Sequence, residues 1–412
     1  MSCFKKVAPV IALAVLMEAG SAYASGFQIS ESSVTALGRA FGGAGIVGDD
    51  ASAIAYNPAG MSLTEGTVLQ AGATAINIRS KVHGVSTRNI GGSVSGSTDP
   101  NITAIVPNAF LIHRYNDKIN LGIGFFSDYG LSTEYANDWF GRNHALDSRL
   151  ETLKVNPSIS YKVTDNLTLG AGVVIEKASA RLSQGIPVVP DPDRYAMVKG
   201  DDWGYGYNLG LMYEFTPDTR LGLSYRSVIR HQLEGHFYNP YGIKDIHANV
   251  DLPEYALLSG YHKINDKFAV SGTVKWTHWK RFQELNIKDD QTNASISYTP
   301  EKWQDTWYFG VGVDYFATDK LTLRAGWGYD NSVISSAEFR TARIPDSYRY
   351  LLSIGASYKV TDNLLIDVGY MHIFMDNANI NNLYENGAFQ DRLTAVYKSE
   401  VNLLGLQMQY NF

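Results

Sequence analysis

The sequence predicts an all-β protein, a 14-stranded antiparallel transmembrane β-barrel with an N-terminal plug, or hatch, inside its lumen. Three observations predict it. Runs of about ten residues alternate strictly between apolar positions and polar or glycine positions. Short polar turns recur six times along the chain. No apolar run is long enough to cross a bilayer as a helix, which takes about 20 residues. Among 412 residues, 18% are charged and 12% aromatic, with 38 Gly and 26 Tyr. That is too apolar for a disordered chain and too rich in glycine for a helical one.

The charge balance, 35 basic against 41 acidic residues, offers no electrostatic footprint for nucleic acid. The single cysteine, Cys3, excludes a disulfide framework and any cysteine-based metal cluster. Residues 1–24 read as a secretory signal peptide: Lys5 and Lys6 give a basic start, 7–16 a short apolar core, and Ala22-Tyr23-Ala24 a small-x-small cleavage site. The mature chain is then expected to begin at Ser25. An exported chain without a spanning helix is either soluble or a closed barrel, because only helices and edgeless barrels satisfy their backbone hydrogen bonds in lipid.

The alternation is clearest at Leu321, Leu323, Ala325, Trp327 and Tyr329, which interleave with Thr322, Arg324, Gly326, Gly328 and Asp330. It repeats at Leu167, Leu169, Ala171, Val173 and Ile175, and again at Tyr205, Tyr207, Leu209, Leu211, Tyr213 and Phe215. One face of such a strand suits hydrocarbon and the other something wet. The turns are 116–118, 164–166, 216–219, 265–267, 318–320 and 361–363, each rich in Asn, Asp or Thr. Six turns join twelve strands, and one further strand at each end, about 67–78 and 400–412, gives fourteen. Longer segments at 80–99, 184–201, 286–300 and 377–397 read as irregular loops on the opposite side. The last strand alternates up to its terminal Phe412.

Residues 25–66 do not alternate. Eight glycines surround two short helical patterns at 32–41 and 49–55. The segment is small for an independent core, and a fourteen-stranded wall encloses more space than its own side chains fill, so the lumen is its economical place. The barrel then covers 67–412.

Several residues in order carry a resemblance. Ser25-Gly26-Phe27-Gln28, Gly38-Arg39-Ala40-Phe41, Asp49-Asp50 and Asn57-Pro58-Ala59 are followed by Phe126-Ser127-Asp128-Tyr129-Gly130-Leu131, Asp202-Trp203-Gly204, Leu252-Pro253-Glu254 and Ile344-Pro345-Asp346. This set resembles the long-chain fatty-acid transporter family of Gram-negative outer membranes, the FadL family. The resemblance implies a monomeric channel in the outer-membrane lipid that carries hydrophobic small molecules inward through apolar pockets, with Asn57, Pro58 and Ala59 in the hatch. It implies a side exit where the third strand kinks, matched here by Asp128, Tyr129 and Gly130. A glycine suits such a kink because it tolerates unusual dihedrals and blocks nothing.

Ligand-binding positions follow from the same resemblance. Phe27 matches an N-terminal aromatic of the inner pocket, and Leu182 a pocket wall. The places where better-known members carry an Arg and a Lys are Gln184 and Gln304, two neutral amides. Arg181, Lys177, Arg340 and Arg343 stand as alternative cations. A related branch takes up aromatic hydrocarbons such as toluene, which need no cation, and this is the competing substrate.

No catalytic residue, metal or cofactor is expected. Gly43-Ala44-Gly45-Ile46-Val47-Gly48 fits a dinucleotide fingerprint but lacks the strand and βαβ context. Gly91-Gly92-Ser93-Val94-Ser95-Gly96 falls short of a nucleophile elbow. An outer-membrane lipid hydrolase would need a Ser/His pair at neighbouring strand ends, and an open polar porin a ladder of inward arginines; the sequence displays neither.

Overall fold

The computed structural model describes residues 26–187 and 191–412. The export signal expected at 1–24 lies outside the described residues.

All β-segments join one antiparallel sheet. In chain order the wall is β1 (Thr67–Arg88), β3 (Asn101–Arg114), an interrupted third strand made of β4 (Ile119–Phe126) and β5 (Gly130–Glu134), β6 (Asp147–Lys162), β7 (Leu167–Gly185) and β8 (Tyr195–Thr216). It continues with β9 (Thr219–Arg226) and β10 (Ile229–Asn239), β11 (Gly242–Leu252) and β12 (Tyr255–Lys263), β13 (Phe268–Thr277) and β14 (Glu284–Asp289), and β15 (Ser295–Pro300) and β16 (Thr306–Phe316). It ends with β17 (Leu321–Asp330), β18 (Arg349–Lys359), β19 (Leu364–Met375) with β20 (Ala378–Asn386), and β21 (Phe389–Asn411). A small strand, β2 (Gly92–Thr98), folds back along the outer end of β1. Counted as crossings, the wall has the 14 strands the sequence predicts. It closes where β1 pairs with β21 from Val68↔Asn411 to Arg88↔Asp391, so the first and last strands leave no edge between them.

Alternation sorts the two faces as expected. On β8, Trp203, Tyr205, Tyr207, Leu209, Leu211, Tyr213 and Phe215 are all exposed outward, while the intervening Gly204, Asn208 and Met212 are buried. Leu323 and Trp327 are likewise exposed on β17, with Arg324 buried between them. These exposed apolar side chains form the band that hydrocarbon covers.

The segments read as irregular loops are largely strand. β1 runs on to Arg88, β7 to Gly185, β8 begins at Tyr195, and β14, β15 and β20 fill most of the remaining two. Beyond the membrane both faces of a strand meet water, so the apolar rhythm disappears while the hydrogen-bond ladder continues. Periodicity reports the environment of a strand, and the backbone pairing outlasts it.

Residues 26–66 touch the inner face of the wall on several sides. Val34 N donates to Gln407 Oε1 of β21 at 3.0 Å, Gly43 N to Gly272 O of β13 at 3.2 Å, and Asn57 Nδ2 to Leu211 O of β8 at 3.1 Å. Arg220 Nε of β9 reaches Ile46 O at 2.5 Å. The helices are shorter than the patterns suggested: α1 is Val34–Gly38, capped by Ser33, whose hydroxyl accepts from Ala36 N at 3.0 Å, and α2 is Ala53–Tyr56. Ala40 and Phe41 take left-handed φ values of 46° and 55°, which stops α1 before the predicted end. A 3₁₀ turn, Pro58–Leu63, follows, with Pro at its start and Asn57 as its cap.

Candidate functional site

Two cavities lie on the loop side of this segment. The inner one has an apolar wall that includes Leu131, Leu150, Leu182, Val198 and Ile246, with Phe27 and Phe282 at its base. The outer one opens among the ends of β8, β10, β15 and β20. Both are bordered by Leu182, Val198, Leu285, Ile287 and Arg343, so they meet along one boundary. The mainly apolar lining of the inner cavity suits an apolar ligand.

An aromatic cluster forms the base. Phe27 sits with its ring centroid 4.8 Å from Trp279, 5.5 Å from Trp303, 5.6 Å from Phe282 and 6.2 Å from Tyr129. Next to this cluster comes a layer of charge. Lys154 Nζ lies 2.7 Å from Asp128 Oδ2 and 3.3 Å from Glu176 Oε2; Glu176 meets His231 at 3.0 Å; Asp128 also meets Arg226 at 3.4 Å and accepts from Tyr255 Oη at 3.1 Å. Buried charges persist only when paired in this way, and breaking such pairs is costly. An apolar molecule gains nothing by entering such a layer.

The wall is interrupted beside this base. β4 ends at Phe126 and β5 starts at Gly130. β4 pairs with β3 only over Ala109–Arg114, whereas β5 pairs with β6. Among the described residues, no register joins β5 to β3, so the third strand leaves a seam. Residues 27–29 lie along it. Gly130 N donates to Phe27 O at 2.8 Å, Ile29 N to Asp128 O at 2.6 Å, and Gln28 bridges Tyr129. Tyr129 is buried, its hydroxyl donating to Pro253 O at 2.6 Å. Gly130 is not among the glycines at positive φ. No unusual dihedral therefore sets it apart.

The structure brings some of the sequence-derived residues together and separates others. Phe27 and Leu182 border the inner cavity and Gln184 the outer one. Gln304 borders neither: its amide N donates to Val333 O at 2.8 Å and its side chain to Ser332 O at 3.0 Å. Arg181 points outward and pairs with Asp147 at 3.0 Å, its side chain 48% exposed. The alternation of β7 explains this, since 181 lies on the opposite face from 182 and 184. Of the other cations, Lys177 pairs with Asp201 and sits over Trp203, and Arg340 donates to Asp346 O and Asn379 O. Arg343 borders both cavities, donating through Nη1 to Ser148 Oγ at 3.0 Å and Ser183 O at 3.2 Å, and through Nη2 to Gln184 Oε1 at 2.8 Å. Asn57 Oδ1 accepts from Ala59 N at 3.1 Å, and Pro58 and Ala59 press against Gly170 and Gly210 of the wall.

The sequence reading missed Glu301. It borders the inner cavity, is buried, and accepts from the Trp303 indole at 3.0 Å. Burial pushes its carboxyl up to about 8, against the pull of Trp303 and Arg343. Burial likewise pushes the Arg343 guanidinium down to about 10. No local signal distinguishes Glu301, because the loop it occupies has no period.

A serine does approach an acid near a histidine. Ser86 Oγ donates to Asp391 Oδ1 at 2.6 Å, and His144 Nε2 is 3.7 Å from the same carboxylate. The hydroxyl gives its hydrogen bond to Asp391 and not to the imidazole, which is the wrong order for activating a nucleophile.

A closed wall with an apolar exterior, apolar cavities inside and a charged layer beyond them defines an outer-membrane channel for hydrophobic molecules. The chain belongs to the outer membrane protein transport protein family (OMPP1/FadL/TodX), whose sequence profile matches residues 15–412. It is 32% identical to the 47 kDa outer membrane protein of Pasteurella multocida, with 98% of each chain covered. It is 30% identical to a long-chain fatty acid transport protein of Escherichia coli, over 88% of this chain and 90% of that one. Among solved structures, a Pseudomonas aeruginosa FadL homologue superposes with a TM-score of 0.87 at 28% identity, covering 94% of this chain and all of the other. The Pseudomonas putida toluene transporter TodX shares the fold, with a TM-score of 0.71 at 21% identity over 94% and 100% of the two chains.

Proposed function

We propose that this protein takes up long-chain fatty acids by passive diffusion, through the outer cavity, the inner cavity and a lateral exit at the interrupted third strand. The observation that carries the reading is the seam between β3 and β5, sealed from inside by residues 27–29 next to the base of the inner cavity. Each methylene withdrawn from an apolar site into water costs roughly 0.8 kcal/mol, so a long acyl chain will not cross by a watery pore. Ahead of the inner cavity stand Asp128, Lys154 and Glu176; beside it lies the seam, with hydrocarbon outside. Residues 26–66 act as the hatch, and a shift of 27–29 opens the way. The E. coli relative named for long-chain fatty acid transport supports the substrate.

Aromatic hydrocarbons are the second reading, favoured by the rings of Phe27 and Phe282 at the base of the inner cavity. Mass spectrometry of the hydrophobe that co-purifies from native membranes separates the two. Fatty acids are expected; neutral aromatics would favour the alternative, and recovery of neither from substrate-fed cells would count against both.

A further inference from the structure

Outward-facing cations on the loop side of the wall commonly sit beside an acid: Lys177 with Asp201, Arg181 with Asp147 at 3.0 Å, Lys244 with Asp289 at 3.1 Å. Arg79, Lys81 and Lys398 do not. All three are exposed, and among the described residues no carboxylate forms an ion pair with them; Arg79 Nε donates to the neutral Asn77 at 3.0 Å. Lys81 and Lys398 are direct partners in the β1–β21 register, and Arg79 lies two residues earlier on the same face of β1. Like charges set opposite one another across a ladder repel and destabilise it. An anion seated over the pair relieves that repulsion.

The strands set the depth of the pair. Leu404 and Leu406, outward on β21, are exposed in the hydrocarbon band. Farther along, Arg79 opposes Glu400, and Glu400 opposes Phe374 of β19, an exposed ring of the kind that marks a membrane interface. Lys81 and Lys398 stand two residues beyond that row, about 5 Å higher for a strand tilted by ~45°. That is headgroup depth, and lysine stems can lie along the wall with their ammonium groups in it. Long loops mark the external side of such barrels, so the leaflet is the outer one.

A groove adjoins the cations because β1 changes partners there. It pairs with β3 up to Arg79↔Asn101 and with β2 from Val82↔Thr98, and between them Ser80 N donates to Pro100 O at 3.0 Å. The groove is bordered by Asn101, by Ser80 and Ser399, whose hydroxyls meet at 2.7 Å, and by two carboxylates, Asp99 and Glu400. Such groups hydrogen-bond a sugar, whose hydroxyls both donate and accept. Two ammonium groups and a guanidinium suit a phosphate monoester, which carries nearly two negative charges near pH 7, better than the singly charged diester of a glycerophospholipid.

We propose that Arg79, Lys81 and Lys398 form a docking site on the outside of the wall for a phosphorylated glycolipid of the outer leaflet, the cations holding its phosphate and the groove its sugar. The site is separate from both cavities, and its acyl chains would lie on the band of Leu404 and Leu406.

The test is native mass spectrometry of the whole protein in detergent, titrated with diphosphoryl lipid A, with the same lipid stripped of phosphate, and with phosphatidylglycerol. Wild type is expected to hold the diphosphoryl form more tightly than the stripped form by on the order of tenfold or more, given three cations at headgroup depth. Lys81→Ala/Lys398→Ala should lose most of that preference. Arg79→Ala should lose a smaller part, and decides the matter if the double variant does not fold. Lys320→Ala, in a turn at the opposite end of the barrel, should stay within about twofold of wild type, because screening confines such attraction to the near surface. An undiminished preference in the double variant, or an equal loss in Lys320→Ala, overturns the site. Equal binding of stripped lipid A overturns phosphate recognition, and equal binding of phosphatidylglycerol overturns the glycolipid as its occupant.

Discussion

The amide of Gly130, first residue of β5, donates to the carbonyl of Phe27 at 2.8 Å, and Ile29 N donates back across the same seam to Asp128 O at 2.6 Å. Three residues ahead of the first helix thus act as a short strand on the free edge left by the interrupted wall. If this strip is the moving part, fixing it must stop transport and spare binding. Gln28 and Tyr129 bridge one another in antiparallel fashion, a separation within reach of a disulfide. The double variant Gln28→Cys/Tyr129→Cys is expected to lose hydrophobe uptake when oxidised and regain it on reduction, with ligand binding kept in both states. Uptake by the oxidised protein at the wild-type rate would exclude a path past this seam.

Residues 26–66 fit the wall through glycines. A Cβ at Gly170 would lie 2.2 Å from Ala59 N, and one at Gly210 2.1 Å from Asn57 Oδ1. Both sit on inward positions where the turn Pro58–Leu63 comes against the backbone of the wall. Gly170→Val should therefore push Asn57, Pro58 and Ala59 out of place, at a cost of about 1–3 kcal/mol or more. The expected outcome is a closed barrel whose N-terminal segment is cut by protease much faster than in wild type. Equal protection would mean that the turn can move aside without loss.

Much of this architecture can be read from the chain, because the bilayer imposes a two-residue rhythm that composition preserves. Leu321 to Asp330 reads as a strand and is one; the six turns fall where Asn, Asp and Thr cluster; the polar pair Ser127 and Asp128 marks the break after Phe126. Gly92 to Thr98 does not read as a strand, since Ser and Gly on both faces leave no contrast. The cavity resists for a different reason. Alternation alone separates Leu182 from Arg181. Nothing local says that Arg343 returns from a loop after β17 to meet Gln184 on β7, or that Glu301 faces apolar side chains while Gln304 turns to Ser332. Those placements depend on tertiary folding of segments without a period.

The N-terminal segment is also fixed by charge. Arg39 lies 2.5 Å from Asp49 and 3.1 Å from Asp314, and Arg324 lies 3.0 Å from both acids. Burial raises the Asp49 carboxyl, but Arg39 and Arg324 outweigh it and hold it well below the usual carboxylate range. A carboxyl depressed in the folded state stabilises it above the unfolded value, about 3.9 for Asp, and that stability is lost as pH falls through the folded value. Thermal unfolding should thus drop steeply below about pH 4, with a shallower slope in Asp49→Asn. Arg39→Met, which leaves Asp314 with Arg324 alone, should lower stability at neutral pH by up to about 3–5 kcal/mol. A pH profile identical in wild type and Asp49→Asn would show that this acid contributes nothing to docking.

Glu301 gives the inner cavity a pH dependence of its own. Its carboxyl is pushed up to about 8 by burial, and the groups that pull against this are the Trp303 indole and Arg343. At pH 7 it is mostly neutral and adds no repulsion toward an anionic guest. As pH rises through about 8 it ionises, and a negative charge appears in the same cavity, while Arg343, at about 10, stays protonated. Affinity for hexadecanoate should therefore decline between about pH 7 and 9, and affinity for its methyl ester should stay level, because like charges in a weakly screened site repel strongly. Glu301→Gln keeps a hydrogen-bond acceptor for Trp303 but cannot ionise, and is expected to flatten the acid profile. The measurement is equilibrium binding of both probes across that pH range. A decline that persists unchanged in Glu301→Gln would place the titrating group elsewhere, and a decline shared by the ester would point to the protein's stability instead of the guest's charge.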